Sequence, residues 1–192
     1  MCTGDFMLGY MALKADGTDK FGDKFELGKS YHVDGPIAAR FGSKSDGFRF
    51  CTNVAEVFRF IDSEDTKVAV VEATGKLDSS RDEYNDYEIY ACSDLSLVKY
   101  LTREEILNLT MLEGRRSIEK LVKTYKVNEE ERDILLDHVR GDNQMIGYVL
   151  YYCFGDTDIY NSGRDNFKKI VNEEYSKLDD RLSKNSKTKK MI

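Results

Sequence analysis

Residues 95–106 read Leu95-Ser96-Leu97-Val98-Lys99-Tyr100-Leu101-Thr102-Arg103-Glu104-Glu105-Ile106, and this stretch divides the chain. Its first half, Leu95–Tyr100, is a strand-type run. Its second half opens a helix. Thr102 followed three residues later by Glu105 is a capping box, and Leu101 can staple against Ile106 across the first turn. Strand signals lie before this point and helix signals after it. That segregation predicts an α+β fold. A β-rich domain, mixed or antiparallel and with one helix, takes residues 1–100, and a helical domain of about five helices takes 101–183.

Upstream, Phe6–Leu13 and Phe25–Val33 read as strands bounded by clusters such as Ala15-Asp16-Gly17-Thr18. Phe48–Cys51 alternates briefly, Lys67–Ala73 is a β-branched run of the buried-strand kind, and Tyr87–Cys92 is a further strand. The one helix among them starts at Asn53, which can cap with Glu56 completing the box, and carries Val54, Val57, Phe58 and Ile61 on one face. Downstream, the helix begun at Thr102 stops at Gly114. A second presents Ile118, Leu121, Val122 and Tyr125. Asn128 with Glu131 caps a third, whose Ile134, Leu135 and Val139 face inward with His138 at the core margin. Gln144–Phe154 is apolar almost all round and is predicted to be the most buried helix. A last helix covers about Arg164–Leu182. The tail, residues 184–192, holds four lysines and no acids and is predicted to be disordered.

Charge and composition remove several function classes. The 192 residues carry 29 Lys+Arg against 35 Asp+Glu, and the whole net charge of −6 falls in residues 1–100. Hydrophobic residues at 41% suffice for a core, which excludes a mostly disordered chain. A helix-turn-helix layout over residues 121–136 would place Glu129-Glu130-Glu131 at the start of its recognition helix. Those carboxylates repel phosphate, so nucleic acid is not an expected partner. No apolar run reaches membrane-spanning length, and Asp5 precedes the first short apolar stretch with no basic segment before it. The expected setting is the cytoplasm, with no membrane partner. Cys2, Cys51, Cys92 and Cys153 form no CxxC pair and the only histidines are His32 and His138, so no metal site is expected and the thiols read as reduced and structural. No P-loop or GxGxxG occurs, and the calcium-like run at Asp156-Thr157-Asp158 has Phe167 where a closing glutamate belongs. No cofactor is expected.

Several short motifs in the first half resemble an uncharacterised domain family found in phages and bacterial mobile elements. They are Gly9-Tyr10-Met11-Ala12-Leu13, Phe25-Glu26-Leu27-Gly28-Lys29-Ser30-Tyr31 with Gly35, Gly47-Phe48-Arg49-Phe50-Cys51, Glu56-Val57-Phe58, and Val68–Gly75, closing on Leu101–Ile106. The resemblance covers about residues 8–106 and implies a fold and a genomic setting more than a chemistry. Where members often show a histidine in the turn at 47–51, this chain has Arg49, so no role of that histidine transfers.

The order of elements is also similar to the ADP-ribosyltransferase fold, with a glutamate in a late strand at Tyr87-Glu88-Ile89. In that chemistry a carboxylate stabilises the developing oxocarbenium ion. This likeness implies NAD as substrate, Glu88 as the catalytic carboxylate, and Tyr10, Tyr31 or His32 at the nicotinamide. The chain departs from the pattern at Asp86, where a Glu-x-Glu pair would need glutamate, and in lacking Ser-Thr-Ser and an Arg-Gly on its first strand.

Tyr148, Tyr151, Tyr152, Phe154 and Tyr160 form a dense aromatic group, and tyrosine is enriched where proteins bind one another. The preferred reading is therefore a phage or mobile-element accessory protein acting as a non-catalytic protein-interaction module. Its protein partner is unidentified, and a homodimer is one assembly it admits. The alternative is the NAD-dependent ADP-ribosyltransferase-like enzyme built on Glu88.

Overall fold

A computed structural model describes residues 6–40, 44–60, 65–82, 87–154 and 164–189. Two long antiparallel strands organise the first part of the chain, β4 (Lys67–Asp82) and β5 (Tyr87–Tyr100). β1 (Met7–Leu13) lies on the other side of β4. β2 (Ser30–His32) and β3 (Phe48–Phe50) follow one another along the far edge of β5, opposite Asp94–Ser96 and Tyr90–Cys92. The chain then reaches back from β3 to β1. Tyr10 and Cys51 exchange both backbone hydrogen bonds, at 2.7 and 2.9 Å, so that β1, β4, β5 and β3 close into a ring.

That closure depends on Gly9. A Cβ at this position would lie 2.3 Å from Cδ2 of Phe50 and 2.7 Å from the Cys51 carbonyl oxygen, so only glycine lets the strands approach. Gly75 has the second special role, with φ +76° where the β4–β5 register shifts between Thr74 and Leu77. Here the missing side chain leaves room for Ser93 and Asp94, and Ser93 Oγ accepts the Lys76 N–H at 2.9 Å.

The ring is filled by Met11 and Leu13 of β1, Phe50 of β3, Ala69, Val71 and Ala73 of β4, and Cys92, Leu95 and Leu97 of β5. Phe25 joins them from a turn. It is buried, and its N–H donates to the Gly17 carbonyl, so Phe25–Val33 is strand only at Ser30–His32. The two strands expected at Tyr87–Cys92 and Leu95–Tyr100 are one. The polar Ser93-Asp94 pair between them makes no turn, because its side chains are engaged by Lys76 and His32.

α1 (Val54–Val57) continues into a 3-10 turn at Phe58–Phe60. Asn53 caps it as expected, accepting from the Ala55 N–H. Glu56 does not close the capping box; Glu113 instead takes the Val54 N–H at 2.7 Å and that of Ala55 at 3.3 Å. Glu113 ends α2 (Arg103–Glu113), which opens with the capping box read at Thr102 and Glu105 and gives way at Gly114 to α3 (Arg115–Thr124). Ile106, Leu107, Ile118, Leu121 and Val122 are buried, as is Phe58, whose ring meets Tyr125 at 5.7 Å. Full burial of a phenylalanine of this kind stabilises by about 1.5–3 kcal/mol.

The chain divides into two compact units, residues 1–125 and 126–192. The division falls later than the change from strands to helices at residue 100, because α2 and α3 pack with α1 and the 3-10 turn.

The second unit holds α4 (Glu129–His138), α5 (Asn143–Phe154) and α6 (Arg164–Lys189). The capping box of Asn128 and Glu131 is present. The buried face of α4 runs through Arg132, Leu135, Leu136 and Val139, at i, i+3, i+4 and i+7. Ile134, 42% exposed, and His138, also exposed, therefore sit on the other side, which corrects the inward face expected for both. α5 buries Met145, Ile146, Val149 and Leu150 while Tyr152 is exposed, so it is one-sided rather than buried all round. α6 buries Val171 and Leu178 and leaves Leu182 exposed. Asp133 joins α4 to α6, accepting from Arg181 Nε at 2.7 Å and Nη2 at 2.9 Å. The α6 backbone continues to Lys189, through six positions of the lysine-rich tail; lysine is a good helix former and extends the helix past its last apolar position.

Candidate functional site

Glu88 sits at the start of β5, opposite Arg81 of β4. Its backbone N–H donates to Oε1 of Glu56 at 3.2 Å, which is where the Glu56 carboxylate goes instead of capping α1. The other oxygen of Glu56 is buried and has no hydrogen-bond partner among the described residues. Burial raises the Glu56 pKa from its ordinary value, opposed by the Glu88 N–H and the nearby Lys120 ammonium. Burial likewise lowers the pKa of Lys120. The ring of Tyr87 is contacted by both Lys120, at 4.1 Å, and Arg59, at 4.7 Å.

The other residues read as catalytic lie elsewhere on the sheet. Tyr31 packs edge-on against Phe25 and Phe48, with centroids at 5.1 and 6.1 Å, and its hydroxyl accepts the Glu26 N–H at 2.6 Å. His32 lies between two carboxylates, Nδ1 at 2.6 Å from Asp94 and Nε2 at 3.1 Å from Asp34, and these hydrogen bonds raise its pKa. His32 is opposite Asp94, six positions along β5 from Glu88, a separation of about 20 Å at the rise of a strand. Glu88 and the Tyr31-His32 pair are thus not brought together. Tyr10 belongs to the ring closure, and burial, with Glu113 nearby, raises its hydroxyl pKa.

Tyr10 also lines a cleft with Asp19, Lys20, Arg49, Cys51 and Phe60. It encloses about 20 Å³, room for about one water. The Arg49 guanidinium is held there between two rings, 4.1 Å from the centroid of Phe21 and 4.4 Å from that of Phe60. Sequence reasoning missed this arginine as a site residue. The alternation Phe48-Arg49-Phe50 does signal that Arg49 points away from the core, but the two rings that clamp it come from distant positions.

Burial raises the pKa of every described thiol, Cys92 to about 12 and Cys153 to about 11, with Cys51 higher still. These are inert positions, as the sequence suggests.

In the second unit, Tyr148 and Tyr152 stack at 6.2 Å on one face of α5, and Tyr151 meets Tyr152 edge-on at 4.9 Å. Tyr152 is 39% exposed. Tyr160 lies outside the described residues. Among the described residues, no group of His, Cys, Asp and Glu is arranged to hold a metal, and no helix is long and apolar enough to cross a membrane.

Residues 7–109, just over half of the chain, match a family described as a domain of unknown function, DUF7666, and the chain belongs to that family. The match spans the whole sheet, α1 and the first half of α2, and includes Glu56, Glu88 and Arg49. No curated protein and no solved structure matches the chain.

Proposed function

We propose that this protein is a non-catalytic protein-interaction module that serves a phage or mobile element as an accessory protein in the cytoplasm. The observation that carries the reading is the tyrosine face of α5, where Tyr148, Tyr151 and Tyr152 contact one another in a row and Tyr152 opens to solvent. Rigid aromatic groups of this kind supply large contact area at low entropic cost and dominate binding energies. The genomic setting rests on the motif resemblance in residues 8–106. Two observations weigh against the enzyme reading. Glu88 stands about 20 Å along the strand from the partner of His32. The cleft beside Tyr10 holds about one water, whereas a nicotinamide ring with its ribose needs several hundred Å³.

A photo-crosslinking amino acid placed at position 152 tests the reading, with position 177, exposed on α6, as control. The proposal expects a discrete crosslinked species from 152 and not from 177, in the purified protein if the partner is a second copy and only in host cells if it is another protein. Equal, diffuse crosslinking from both positions in both settings overturns it.

A further inference from the structure

Among the described residues, Arg49 is a cation held in place with no ion pair and no hydrogen bond. A half-buried guanidinium is normally matched by a carboxylate or by carbonyl oxygens, because its desolvation is otherwise uncompensated. Here the centre of the group lies over the rings of both Phe21 and Phe60, and among the described residues Arg49 makes no ion pair and no hydrogen bond. Contact with two rings leaves the N–H groups of the guanidinium to bind, and these form the fork that recognises the two oxygens of a carboxylate or phosphate. Lys20, on the same cleft, is exposed and also has no ion pair. The carboxylate on the cleft wall, Asp19, favours the Arg49 cation through space, but makes no hydrogen bond to it; its Oδ1 accepts the N–H groups of Phe21 and Asp23 at 2.9 Å each. That turn is also what carries Phe21 to its place over Arg49.

We infer that the cleft between Arg49 and Lys20 is a binding site for the oxyanion end-group, carboxylate or phosphate, of a larger ligand. The cleft is small and opens to solvent, so the ligand presents its charged end to the Arg49 fork at the mouth and its remainder stays outside. The aromatic clamp fixes the guanidinium before the ligand arrives, which reduces the ordering that binding requires. This site is separate from the tyrosine face of α5, and either can exist without the other.

Titrations of the full chain with sodium phosphate and with sodium acetate, against sodium chloride at matched ionic strength, test the site. The readouts are the Arg49 Nε–H resonance and the amides of Lys20 and Phe21 in ¹H–¹⁵N spectra. The inference expects a saturable shift at these three places with at least one oxyanion and not with chloride. Saturation by phosphate alone identifies a phosphate-bearing ligand, and by acetate alone a carboxylate. Arg49→Lys, which keeps the charge and loses the fork, should weaken binding at least tenfold, read on the two amides. Lys20→Gln, a surface change with no folding role, should weaken it severalfold. Shifts no larger than those with chloride overturn the inference, as does undiminished affinity in Lys20→Gln or Arg49→Lys.

Discussion

The backbone N–H of Glu88 donates to the side chain of Glu56, so a residue at the start of β5 is held by a residue of α1. The cost of this arrangement is a carboxylate with one oxygen buried and unpartnered among the described residues. A carboxyl group whose folded pKa is raised contributes most to stability below its unfolded pKa, near 4.5, and loses that contribution as pH rises through the folded value. Replacing Glu56 by Gln keeps an acceptor for the Glu88 N–H and removes the charge. The stability of Glu56→Gln relative to the wild type should therefore increase between pH 4 and pH 7, measured by urea denaturation at each pH. A flat or opposite trend would contradict the assignment.

Gly9 is required by geometry and not by flexibility. Gly9→Ala places a methyl against the Cys51 carbonyl, which is backbone and cannot swing aside as the Phe50 ring can. Overpacking of this kind destabilises by about 1–3 kcal/mol, and the upper half of that range is expected here. Gly147 offers the opposite case. Inside α5, its added Cβ would meet, among the described residues, only the Phe167 ring at 3.6 Å, an ordinary contact. Gly147→Ala should stabilise by roughly 0.5–1 kcal/mol through helix propensity. Denaturation midpoints of the two variants should move in opposite directions.

His32 supplies a pH dependence of its own. Hydrogen bonds to the Asp94 and Asp34 carboxylates raise its pKa above 6.5, and the pKa of Asp94 is lowered below 3.8 by the Ser93 hydroxyl first and by His32 second. The histidine's contribution is complete below about pH 6.5 and fades as pH rises through its folded pKa; that of Asp94 fades as pH falls through its own. An NMR titration should place the His32 midpoint above that of an unfolded histidine, and Asp94→Asn should bring it down. A midpoint unchanged by Asp94→Asn would remove the pairing.

How much of this was legible in the sequence follows from how local each feature is. The capping boxes at Thr102/Glu105 and Asn128/Glu131 and the cap at Asn53 each involve residues within one turn, and all three form where the residues place them. Glu56 had the right spacing for a box but serves a backbone group 32 residues away, a competition that no local pattern reveals. The second half of β4 is polar and, over Thr74–Arg81, largely exposed, so it lacks the apolar run that marks Lys67–Ala73. Its strand character comes from pairing with β5. Ile134 is apolar yet lies off the buried face of Leu135, Leu136 and Val139, so a face that includes it points His138 the wrong way. Of the sites, the tyrosine row on α5 is visible at helical spacing. The Arg49 clamp is not, since Phe21 and Phe60 meet it only after the ring of strands has closed.

The central claim, a binding module and not an NAD-cleaving enzyme, is tested most directly by a thermal-shift titration with NAD on the wild type and on Glu88→Gln. A ligand bound only by the native state stabilises by roughly 2.7 kcal/mol at a hundred times its dissociation constant, a shift of several degrees for a chain of this size. The account predicts no shift in either protein up to millimolar NAD. A clear shift in the wild type that Glu88→Gln diminishes would contradict it.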